Sequence, residues 1–288
     1  MSEVLPAPPI SGARAVGWAV VYLATGFVLM LVFAGLGARF IPGVDTSNMA
    51  HLILLQSAGG LLAFGGMTWA LGVRGLHLTL GELRYLPLTG AVPGFTLGIL
   101  LGAAPAAFAV GLSLAAGGAS FQPDSGSTGD YLRSVAVTTL LLAPAALVEE
   151  LMFRGVGQVL LARVFGRVRA VLALSGLFAL AHVLNPNTTA LGLVNIALAG
   201  VFLGAAFYAP GGLWTAWGAH LGWNATLAAM DAPVSGLPFP IPLIDYQPGG
   251  PLWLTGGTFG PEGGLVATAG IILATAAAWR WGRKEQPA

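Results

Sequence analysis

Two adjacent glutamates, Glu149 and Glu150, stand in an otherwise apolar run that begins Leu140-Leu141-Leu142 and ends Leu151-Met152-Phe153-Arg154. An ionised carboxylate is costly to bury without partners, so two of them in a membrane-grade segment need a reason. On a helix Glu150 and Arg154 are four residues apart and share a face, so they can pair. Glu149 is turned about 100° from its neighbour and faces elsewhere. An ion-pair staple and a functional role are both open for Glu150 and Arg154. Glu149, which the arginine does not serve, reads as functional. Two later apolar segments carry histidines. In the first, Phe178 and His182 are four apart; a histidine alone in an apolar helix is more often a hydrogen-bonded core residue than a catalyst. In the second, His220 and Asn224 are four apart. His220 can bind a metal or share a proton, and Asn224 can orient a water or donate to a developing oxyanion, with a polar contact between helices as the plain alternative. Taken together, a carboxylate, two imidazoles and an amide on three segments suit the activation of water for hydrolysis. The water could sit on a divalent metal such as zinc, held by Glu149, His182 and His220, or be held directly and deprotonated by Glu149. His51 and His77 fall near predicted span ends and are set aside.

The elements that must position these groups are apolar helices. The 288 residues are 56% hydrophobic and 8% charged, with a mean hydropathy of +0.82. Soluble domains carry about 25% charged residues, so the composition indicates an all-α polytopic membrane bundle in a single domain, 1–288. A net charge of +1 argues against nucleic-acid binding, and the lack of cysteine excludes disulfides and thiolate chemistry. Met1 to Ser11 shows no basic stretch followed by a cleavage site, so no removable signal peptide is expected. Arginine outnumbers lysine 11 to 1, and alanine and glycine abound, which points to a GC-rich bacterial genome and hence to the bacterial cytoplasmic membrane.

Eight segments can span a bilayer, at approximately 14–38, 50–72, 88–117, 131–150, 168–184, 189–208, 211–230 and 263–281. The fourth is expected to continue as a helix through Arg163. The fifth is short, and a tilted or partly re-entrant course is open to it. With the N-terminus inside, Arg14, Arg74, Arg84, Arg163, Arg167, Arg169, Arg280, Arg283 and Lys284 fall on the cytoplasmic side, Arg39 and Arg133 on the outer side, and Arg154 within the membrane. That asymmetry predicts both termini inside. The 118–130 stretch reads as a plain solvated turn. The 233–262 loop, with Pro238, Pro240 and Pro242 at every second position, cannot be helical there, and its Phe239, Tyr246 and Trp253 suit an interfacial position. Gly94, Gly98 and Gly102 lie four apart and permit close helix approach, read as packing within the chain rather than a dimer seam.

The order Glu149-Glu150-x-x-x-Arg154, then Phe178-x-x-x-His182, then His220-x-x-x-Asn224 resembles the CPBP family of CAAX prenyl endopeptidase and bacteriocin-processing-type intramembrane proteases. The resemblance covers about residues 130–230, a CPBP-like catalytic core. It implies an eight-helix bundle with catalytic groups lining a cavity within the membrane. By that resemblance Glu149 and His182 activate water, His220 and Asn224 support the oxyanion, and Glu150 and Arg154 hold the geometry. Both a metal-dependent and a metal-free glutamate mechanism fit these residues. The implied substrate is a membrane-associated peptide or the end of a lipid-linked protein; prenylated CAAX proteins are not expected in bacteria. The rival is a membrane protein without enzymatic activity, a transporter or immunity factor, using the same groups to bind an ion or partner. A transporter usually shows repeated halves and broken helices, and neither is visible here.

Overall fold

A computed structural model describes residues 10–283; most of the stretch read for a signal peptide, and Lys284, lie outside them. The helices are α1 (Gly12–Phe40), α2 (Met49–Met67, continued by a wider-wound turn to Gly75), α3 (Ala91–Ala115), α4 (Thr128–Arg154), α5 (Val156–Phe165), α6 (Arg167–Ala181), α7 (Ala190–Tyr208), α8 (Leu213–Ala229), the single turn α9 (Leu252–Thr255) and α10 (Leu265–Arg283). Among the described residues six helical stretches are long and apolar enough to cross a membrane: 12–40, 49–75, 88–115, 128–165, 190–208 and 265–283.

The other two expected spans are shorter. α6 has 15 residues and α8 has 17, below the roughly 20 needed to cross the hydrocarbon alone. Local sequence explains both limits. α6 ends at His182, four residues before Pro186, whose ring disfavours helical backbone in the residue ahead of it. α8 starts after Gly211 and Gly212, both at positive φ, and stops before Asp231 at φ 55°, with Pro233 beyond.

Three further expectations are corrected. Residues 118–130 do not form a plain turn: β1 (Ala119–Pro123) pairs antiparallel with β2 (Ile244–Pro248), with Ala119 opposite Pro248 and Pro123 opposite Ile244, so the bundle is not purely helical. The strands are legible only together, because they lie more than a hundred residues apart and neither alternates cleanly. Phe239 and Tyr246 are buried rather than interfacial, while Trp253 is exposed; the proline-rich segment folds onto the bundle instead of lying along its surface. Finally, α4 does not run on through Arg163. The backbone breaks at Gly155, φ −85° and ψ −136°, where a Cβ would collide with the Leu151 carbonyl and meet the Tyr22 and Tyr85 hydroxyls at 2.9 and 3.1 Å.

The glycine row of α3 packs on α8. A Cβ on Gly94 would meet the Gly211 Cα at 2.8 Å, and one on Gly98 or Gly102 would run into the backbone carbonyls of Thr215 or Ala219; Gly218 and Gly222 of α8 press in return on the Phe95 and Ile99 carbonyls. This is helix packing within the chain, and it fixes the rotation of the helix that carries His220 and Asn224.

The bundle has two unlike ends. One gathers the start of α1, the ends of α5, α7 and α10, and the segment around Arg84, whose guanidinium donates to the Phe207 and Ala209 carbonyls at 2.8 and 2.9 Å. The other holds the sheet and the 231–264 loop, tied down by Asn195 Nδ2, which donates to the Glu262 and Gly264 carbonyls at 2.8 and 2.9 Å. The eight described arginines assigned to the basic side from sequence all sit on elements at the first end; Arg39 and Arg133 sit on elements at the second.

Candidate active site

The α4 motif splits its two carboxylates as helical geometry requires. Glu150 is fully buried, and Arg154, one turn on, lies 3.3 Å from its Oε1. The same guanidinium donates to the Gly200 carbonyl of α7 at 3.3 Å and stacks over the Phe178 ring at 4.7 Å. Glu150 Oε1 also meets His220 Nδ1 at 2.8 Å. That contact was not expected from sequence, because nothing in a one-dimensional motif shows which carboxylate a histidine on another helix will find. α8 is brought to α4 partly by Trp217, whose indole N–H donates to the Ala143 carbonyl at 2.8 Å.

Glu149 faces the other way. It is one-third exposed, and its Oε2 lies 3.7 Å from His220 Nε2 and 3.9 Å from His182 Nε2 without accepting a hydrogen bond. His182 caps α6 and places its Nδ1 2.8 Å from the Phe178 carbonyl. A carbonyl only accepts, so His182 carries its proton on Nδ1 and turns a lone pair on Nε2 toward Glu149. His220 likewise directs Nδ1 at Glu150 and leaves Nε2 toward Glu149. The Nε2 atoms of both histidines and a Glu149 carboxylate oxygen therefore converge on one point. Phe178 sits under the pair, its ring centroid 4.6 Å from that of His182 and 6.1 Å from that of His220.

All four sequence candidates, Glu149, His182, His220 and Asn224, line one cavity of about 360 Å³. Glu150 and Arg154 lie behind its wall. The cavity is bounded on one side by apolar residues of α1, α2 and α4, among them Met30, Ile53 and Leu142, and roofed by Val234, Ser235, Leu237 and Phe239 of the 231–264 loop. It therefore abuts the end of the bundle opposite the eight segregated arginines.

Sequence reasoning missed a second carboxylate on this cavity. Glu262 is buried and accepts hydrogen bonds from Trp223 Nε1 at 3.0 Å, from Ser235 Oγ at 3.1 Å and from the Ser235 backbone N–H. Burial pushes its carboxyl above the usual range, against the pull of those donors. Asn185, just past His182, donates to the Ser235 carbonyl at 2.9 Å and also lines the cavity. In the sequence Glu262 was only one acid among the glycines of a loop. The one available hint was a lone carboxylate near the start of an apolar helix.

The donor types of Glu149, His182 and His220 suit zinc, and both histidines have their second nitrogen anchored as metal-bound histidines usually do. The spacing suits it less well. Bonds of about 2.0–2.1 Å give a tetrahedral edge of about 3.3 Å, shorter than the 3.7 and 3.9 Å found, and no group of three such side chains among the described residues forms a metal cluster. A water in hydrogen-bond reach of all three needs no such contraction.

Residues 131–226 match a family model described as Rce1-like, type II CAAX prenyl endopeptidase Rce1-like. The match contains α8 through Asn224 and all six motif residues, and leaves out Glu262. No curated protein and no solved structure matches the chain. Residues 131–226, a third of the chain, are thus similar to the Rce1-like family, and this match is consistent with the CPBP-type order of the three motif blocks around one cavity.

Proposed function

We propose that this protein is an intramembrane endopeptidase that hydrolyses a peptide bond of a membrane-associated or lipid-linked substrate. The observation that carries the reading is the convergence of Glu149 Oε2 with the Nε2 atoms of His182 and His220 on a cavity bounded by membrane-grade helices. Bulk lipid holds no water, and the polar groups gathered on this largely apolar cavity offer a place where water can be held and activated.

In the proposed reaction Glu149 accepts a proton from water as the water attacks the substrate carbonyl. Asn224 donates its amide N–H to the developing oxyanion. His220, held through Nδ1 by Glu150 as an orienting carboxylate holds a catalytic histidine, positions the water at its Nε2. Glu149 then returns its proton to the leaving amine. Arg154 holds Glu150 in place. A divalent metal on the same three groups would supply the water in more acidic form. The test is cleavage of a membrane-peptide library by the purified protein and by Glu149→Gln, with and without chelator. Cleavage that survives the glutamine change sinks the reading, and loss on chelation with return on adding zinc assigns the metal route.

The same proposal includes eight membrane crossings, the shorter α6 and α8 among them, with both termini on the cytoplasmic face of a bacterial inner membrane. The segregation of arginines to one end supports this orientation. Reporter fusions after the last residue and within 249–250 are expected to report opposite compartments; the same compartment for both would overturn it.

A further inference from the structure

The arginine-bearing end holds a second cavity that the proposed chemistry does not use. It measures about 480 Å³ and lies between the first turn of α6 and the last turn of α10, both of which pack on α7. Arg167 enters from α6 and Arg283 from α10. Arg167 is held by stacking over the Tyr208 ring at 4.9 Å. Gly282 lets α10 close onto the end of α7, since a Cβ there would meet the Tyr208 carbonyl at 3.0 Å. The one described carboxylate at this end, Glu82, is taken by Arg163 at 2.6 Å, and no described carboxylate forms an ion pair with Arg167 or Arg283. Two guanidinium forks thus share a pocket in which no described carboxylate pairs with either.

The rest of the wall is apolar. Val168 and Trp279 line the cavity, and Leu172 continues the exposed apolar face of α6 below it. Tryptophan favours the membrane interface, and basic pockets between membrane helices suit lipid phosphates. A soluble anion would use the guanidinium forks and leave the apolar wall without a role. We propose that this cavity seats the phosphate headgroup of an anionic phospholipid, with Arg167 and Arg283 on the phosphate and the acyl chain running down past Trp279 and Leu172. Occupancy would tie α10 to the start of α6, the helix whose other end presents His182.

The full-length protein in neutral detergent tests this by thermal melting with phosphatidylglycerol, phosphatidylcholine or inorganic phosphate added. Phosphatidylglycerol is expected to raise the midpoint by about 5 °C at saturating lipid, the other two by little. R167Q/R283Q should lose the rise, while R14Q/R74Q, which removes two arginines from the same end, should keep it. An equal rise with phosphatidylcholine, a rise with phosphate alone, or a rise retained in R167Q/R283Q overturns the proposal. Native mass spectrometry on wild type and R167K/R283K, which keeps charge but loses the planar forks, decides the matter if the glutamine pair does not fold. Phosphatidylglycerol adducts favoured on wild type and reduced in the lysine pair support the site; equal occupancy by both lipids on wild type removes it.

Discussion

The same cavity is bounded by two regions that treat a buried glutamate differently. On the roof, Glu262 is surrounded by donors: the Trp223 indole, the Ser235 hydroxyl and the Ser235 backbone N–H. On the α4 wall, Glu150 meets Arg154 and His220 through Oε1 alone and leaves Oε2 without a hydrogen bond; its neighbour Glu149 also leaves Oε2 unbonded, but there it faces the Nε2 atoms of both histidines on the cavity. A carboxylate saturated by protein donors holds elements together and has little capacity left for anything else. One left unsaturated on a cavity is energetically unfavourable unless it acts on something from outside. By this contrast Glu149 is the carboxylate that both lacks a hydrogen bond at Oε2 and opens onto the cavity.

The largest expected effect breaks the contrast at Glu149. Glu149→Gln should lower hydrolysis by about 10²–10⁴ while leaving the melting temperature near wild type, because no protein hydrogen bond is lost at Oε2. Measured turnover of a verified substrate together with a melting curve checks both halves; a variant that is inactive because it is unfolded would remove the distinction from Glu150. Glu150→Ala and Arg154→Ala come next. Each leaves a buried charge uncompensated, which costs about 3–5 kcal/mol, so both should melt markedly lower as well as lose activity. Unchanged melting would show that Glu150 is not the structural member of the pair.

Away from the carboxylates, Gly102→Val should push α3 off α8 and cost about 1–3 kcal/mol, with activity falling because His220 and Asn224 shift with α8. Full activity in this variant would mean that the α3 seam does not set the site. The smallest effect is expected at Glu262. Its carboxyl is raised above 4.5 by burial, so the folded state holds that proton more tightly than the unfolded chain does. Its contribution therefore favours folding at low pH and declines as pH rises from about 4.5 through the raised value. Glu262→Gln should cost about 1 kcal/mol, because one acceptor oxygen is lost to the Trp223 and Ser235 donors, and flatten that part of the stability–pH curve. A wild-type curve whose slope in this window is unaltered by the substitution would show that the roof carboxylate is not a coupled group.

Much of this site was legible before any coordinates. The apolar run around Glu149 announced membrane helices, because a soluble core cannot absorb so few charges. Spacing of four residues placed Glu150 with Arg154 and His220 with Asn224 on common faces, because a helix has a fixed period. The glycines of α3 announced a close helix contact for a similarly local reason. What lay beyond the sequence was whatever depends on contacts between distant segments. That Glu150, rather than Glu149, holds His220 Nδ1 follows from how α8 is rotated against α3 and α4. The strands β1 and β2 exist only by pairing across more than a hundred residues, and Glu262 became part of the cavity only when its loop folded over the bundle. The break at Gly155 was hidden because glycine permits both helix and kink, and the choice was made by Tyr22 and Tyr85 packing against it. Periodicity and composition are properties of the chain itself, so the sequence determined the helices, the faces and the polar inventory. Which group satisfies which depends on helix packing and loop closure, so only the tertiary structure decided that Glu149 is the carboxylate left open.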